Sequence, residues 1–164
     1  MKSTSLKYAF AAILTASLSA SLAFAGSSAT QTVTYQVSAI DELSVSSPAI
    51  SLTVSTATAG SAPDAVTDSS SSYSITTNET NRKITGQIDT AMPTGVTLAV
   101  NLAAPTGATS TGSTVLSTTA ADLVTGISTL NEAGKAITYS LSATSAAGVV
   151  SSASKTVTLT ITAS

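Results

Sequence analysis

The stretch YSITTNETNRKITGQID, residues 73–89, decides how the rest of the chain is read. Tyr73, Ile75 and Thr77 alternate with Ser74 and Thr76. Ile84, Gly86 and Ile88 alternate with Thr85 and Gln87. Period two marks a half-buried strand, because successive side chains leave a pleated backbone on opposite faces. Asn78, Glu79, Thr80, Asn81 and Arg82 stand between the two runs and suit a solvated connection. The stretch predicts two partner strands joined by an exposed hairpin tip. Its charges, Glu79, Arg82, Lys83 and Asp89, predict a loop that needs water rather than a site.

The same period recurs outward in both directions. Val33, Tyr35, Val37 and Ala39 share one face, opposite Thr32, Thr34, Gln36 and Ser38. Leu43 and Val45 follow, then Ile50, Leu52 and Val54. Val96, Leu98, Val100 and Leu102 alternate most cleanly, Val115 and Leu116 seed a weaker strand, Ile137, Tyr139, Leu141 and Ala143 alternate again, and Val157, Leu159 and Ile161 close the chain. About eight strands with polar connections predict an all-β protein, an antiparallel immunoglobulin-like β-sandwich. Residues 56–72 and 104–113 read as long polar loops, and Pro93 with Gly95 and the run 131–135 read as turns. Residues 117–127 break the period. Thr119 and Asp122 stand at the spacing of a capping box and Gly126 can end a helix, so one short helical turn is expected there.

Composition sets the compartment. Lys2 and Lys7 precede an apolar run, and Ala23-Phe24-Ala25 fits the small-x-small cleavage rule. This reads as a bacterial secretory signal peptide over residues 1–25, with a single β-sandwich domain at 26–164. The run is interrupted by Thr15, Ser17, Ser19 and Ser21, and a membrane span needs roughly 20 apolar residues. No membrane insertion is expected after cleavage, and the expected location is extracellular or cell-surface. Asn78-Glu79-Thr80 matches the N-glycosylation triplet, which carries little weight in a bacterial exporter.

Residues 26–164 hold four basic and eight acidic side chains, a net charge of −4, which argues against nucleic acid as a partner. Cys is absent, so the core alone must stabilise the domain. Ser and Thr make up 53 of the residues 26–164. Because they alternate with Val, Ile and Leu, outer strand faces account for them better than a disordered stalk does.

Little chemistry is available to such a chain. With neither His nor Cys, triads built on those residues and imidazole-ligated metals are excluded. No aromatic platform accompanies the acids, so no catalytic site, cofactor or enzyme activity is expected. Asp64 and Asp68, in a serine-rich loop, are the weak calcium candidates, because calcium takes loop carboxylates and carbonyls. Lys83, Lys135 and Lys155, with Asn101 or Asp89, are the side chains an isopeptide crosslink would use. A membrane β-barrel would need aromatic girdles, whereas only Tyr35, Tyr73 and Tyr139 follow the signal.

The segment ITYSLSATSAAGVVSSASKTVTLTI, residues 137–161, resembles the closing hairpin of bacterial immunoglobulin-like domains. AMPTGVTLAVNLAAPTGATS and LSTTAADLVTGIS resemble stretches of an uncharacterised group of secreted bacterial proteins. More loosely, the Cys-free, Thr/Ser/Val-rich chain with TVTYQV just after the cleavage point is similar to pilin-type subunits of secreted fibres, although it lacks the cysteines of chaperone-assembled pilins. That likeness implies a homopolymer assembled by strand complementation, with Val33, Tyr35 and Val37 as the exchanged interface. The other expectation is a monomeric adhesion module that recognises carbohydrate or protein through the loops 56–72 and 104–113. Burial of Val33, Tyr35 and Val37 in their own domain's core would remove the motive for exchange.

Overall fold

The structure, a computed structural model, describes residues 27–46 and 49–164. The expected signal peptide lies outside the described residues. The chain divides between Gln36 and Val37 into two units. Of the first, residues 27–36 are described, and they are exposed without regular secondary structure. The second is all-β, built from two antiparallel sheets, as the period-two pattern predicts.

The strands are β1 (Asp41–Val45), β2 (Val66–Thr77), β3 (Arg82–Ile88), β4 (Val96–Leu102), β5 (Thr109–Ser110), β6 (Thr114–Val115), β7 (Ala121–Ile127), β8 (Leu130–Ala143) and β9 (Val157–Ala163). One sheet has the order β1-β2-β8-β4-β6 and the other β5-β7-β3-β9. Alternation works as expected in the central strands. Tyr73 and Ile75 of β2, Ile84 and Ile88 of β3, and Leu98, Val100 and Leu102 of β4 turn inward and are buried. Leu123, Val124 and Ile127 of β7 and Ile137 of β8 complete this core. Tyr73 is fully buried, and its hydroxyl donates to the Ala103 carbonyl at 2.6 Å, so its polar tip is satisfied.

Several expectations are corrected. β2 and β3 are not a hairpin, because β2 pairs with β1 and β8 while β3 pairs with β7 and β9. The stretch 73–89 is an arch between sheets, with Asn81 at φ 57° in its corner. Alternation is identical in a hairpin and an arch, so the pattern fixes the strands but not their partners. β8 and β9 likewise lie in different sheets and form no closing hairpin.

The expected helical turn at 117–127 is strand β7. Its period is broken by bulges: the pairing with β3 slips twice, leaving Leu123 and Val124 both buried. Gly126, at φ 72°, lies where the second slip falls. The expected turn 131–135 lies inside β8, where the pairing slips between Tyr73↔Lys135 and Ile75↔Glu132 and Gly134 takes φ 69°. In both places a bulge glycine imitates a turn glycine. The only helical turn among the described residues is a 3-10 turn at Ser145–Ala147. The loop 56–72 is shorter than expected, because β2 starts at Val66 and runs through the serines.

Candidate assembly site: an unpaired arm and an open groove

The strand expected at 32–39 pairs with no strand among the described residues. Residues 27–40 are exposed and form no ladder, and Val33, Tyr35 and Val37 are 73%, 88% and 78% exposed. Three large apolar side chains at alternate positions, all exposed, form the sort of patch that marks an interaction surface.

The root of this arm is fastened by the loop first read as merely solvated. The Asn78 side chain accepts from the Ile40 amide at 2.8 Å and donates to the Ser38 carbonyl at 2.8 Å, while its backbone N–H donates to the Ile40 carbonyl at 3.2 Å. Asp41 accepts from the Thr77 hydroxyl at 2.7 Å and pairs with Arg82 at 2.9 Å. Arg82 also meets Glu79 at 3.5 Å, and the Glu79 amide donates to the Thr77 hydroxyl at 3.0 Å. Sequence reasoning missed this clamp because its two halves lie far apart in the chain and no local pattern links them.

The second half of the site is where the sandwich is incomplete. The core is fully closed around β2, β3, β4 and β7, but Leu43, Leu52, Tyr139, Leu141, Val157 and Leu159 are only partly buried. These six line a groove of about 620 Å³ that runs past residues 153–156 to the first three residues of β9. Burial raises the pKa of the Tyr139 phenol in its wall. Among the described residues β9 pairs with β3 alone; β1 lies near it without bonding to its other edge.

The four edge strands differ in how they resist pairing. β5 and β6 are two residues long, and β1 begins with Asp41 and Glu42. Short or charged edges are poor templates for a new strand. β9, VTLTITA, has seven residues with neither charge nor proline, and its inward Val157, Leu159 and Ile161 are half-buried. It is the unprotected edge among the described strands.

The remaining candidates do not gather into a site. The Asp68 carboxylate accepts from the Ser70 hydroxyl at 2.6 Å and the Ser70 amide at 3.0 Å, which lowers its pKa. The Asp64 amide donates to the Thr56 carbonyl at 2.9 Å. Among the described residues no three acidic, His or Cys side chains gather as a metal site would require. Lys83 pairs with Asp122 at 3.0 Å, Lys135 with Glu132, and Lys155 donates to the Thr90 hydroxyl at 2.6 Å. The Asn101 side chain accepts from Ser110 at 3.1 Å. No lysine reaches Asn101 or Asp89 through these contacts. No helix of the described residues is long and apolar enough to cross a membrane.

No family model, curated protein or solved structure matches the chain.

Proposed function

We propose that the chain is an exported structural subunit that polymerises by strand donation, the arm of one copy adding to the β9 edge of the next. The observation that carries this reading is the arm itself: an alternating segment with Val33, Tyr35 and Val37 in water beside a tethered root. The groove supports it. The seven residues 32–38 equal β9 in length, and in both segments apolar residues alternate with Thr or other polar residues. The physics is β-augmentation, in which backbone bonds supply affinity and alternate side chains fill pockets.

Magnitudes favour assembly. Full burial of each large apolar side chain contributes roughly 1.5–3 kcal/mol. Each new backbone hydrogen bond adds about 0.5–1.5 kcal/mol. Association costs about 4–15 kcal/mol in lost freedom, so the three anchors offset the lower part of that range and the ladder supplies the surplus.

The test is to replace Val33, Tyr35 and Val37 with Ser together. These side chains are exposed in the single chain, so its thermal stability stays unchanged while polymers disappear. Ordered polymers that persist in the triple variant, or after deletion of residues 27–39, contradict the proposal.

A further inference from the structure

The groove already has a partial occupant. Residues 50–55 form no regular secondary structure ahead of the bridge Ala57↔Pro63. Ile50, Leu52 and Val54 alternate as half-buried positions with exposed Ser51, Thr53 and Ser55. Ile50 and Leu52 line the groove, and Leu52 and Val54 line the adjoining cavity of about 700 Å³. The segment therefore has the pattern and placement of a strand. Yet it joins no ladder, and its backbone makes no hydrogen bond to another backbone among the described residues. It covers apolar surface with side chains and leaves the β9 edge unsatisfied.

Resting on the strand-donation reading, we infer that residues 50–54 are a resident cover of the acceptor groove, displaced when the arm of a second copy pairs with β9. The exchange is favourable because the two occupants differ in kind. Both offer period-two apolar side chains, but the arm also brings backbone donors and acceptors to an open edge. A single chain thus keeps its groove partly shielded from water, and the cover yields only to a segment able to form the ladder. Shielding of this sort protects an exposed edge from indiscriminate pairing.

The experiment uses the full mature chain with Val33, Tyr35 and Val37 replaced by Ser, so that it accepts but does not donate. The probe is a synthetic peptide of residues 31–40, QTVTYQVSAI. Hydrogen exchange reads pairing at β9, and alkylation of a Leu52→Cys thiol, the sole cysteine in that chain, reads the cover. The expected result is slower exchange in residues 157–163 together with several-fold faster alkylation at position 52. In a separate variant, Ile50→Ser with Val54→Ser, peptide affinity rises about tenfold, equivalent to about 1.4 kcal/mol of lost competition. Protection of β9 with unchanged or slower alkylation and unchanged affinity overturns the cover but leaves strand donation standing. Absence of any protection at β9 overturns strand donation, and the cover with it.

Discussion

Tyr73 shows how single residues set the stability of the body. Its hydroxyl satisfies the Ala103 carbonyl, and burial, with a smaller contribution from Glu132, pushes its pKa up to about 12 from 10.0. Between those values the unfolded chain has lost the phenolic proton while the folded chain keeps it, so stability falls as pH rises from 10 towards 12. Tyr73→Phe removes this loss and costs about 1 kcal/mol at neutral pH; urea denaturation at several pH values measures both. Glu132 acts at the other end of the scale. Lys135 first, then Thr106, whose amide donates at 2.9 Å, hold its pKa down to about 2 from 4.5. The unfolded chain takes up that proton first, so this contribution is present above pH 4.5 and is lost as pH falls towards 2. Acid titration of Glu132→Gln should show a shallower decline than the wild type. Neither partnership was legible beforehand, because Tyr73–Ala103 and Glu132–Thr106 join residues on different elements.

At the scale of elements, strand positions were legible and strand partners were not. Period two located β2, β3, β4, β8 and β9 because each has one face on the core. It could not separate an arch from a hairpin. It failed at β7, where a bulge puts Leu123 and Val124 inward in succession. It also gave the arm and the segment 50–54 the same signature as paired strands, since alternation records which side chains seek burial and not whether a partner is present. Of the proposed site, the alternation of Val33, Tyr35 and Val37 was visible in the sequence, whereas the open edge of β9 needed the sheet order. Gly86 shows how tightly the two strands beside β3 pack over it. A Cβ there would lie 2.6 Å from a Leu123 methyl, 3.3 Å from Leu159 and 3.4 Å from Leu116. Leu123 is fully buried, so Gly86→Val costs about 1–3 kcal/mol through overpacking, and the thermal midpoint should fall accordingly.

At the scale of the whole molecule, the proposed strand donation makes the arm the donor and the β9 edge of another copy the acceptor. The arm and β9 are different surfaces, so their union is head-to-tail and need not close. Such a contact generates open filaments, and the low charge of residues 26–164 leaves little repulsion between successive copies. Absence of cysteine puts the burden of cohesion on the added strand. The most direct measurement is the size of purified residues 26–164 by light scattering with negative-stain microscopy of the same sample. Strand donation predicts filaments or a ladder of polymers for the wild type and monomers for the Val33, Tyr35 and Val37 to Ser variant. A wild-type chain that stays monomeric at high concentration, or a variant that polymerises equally well, would contradict it.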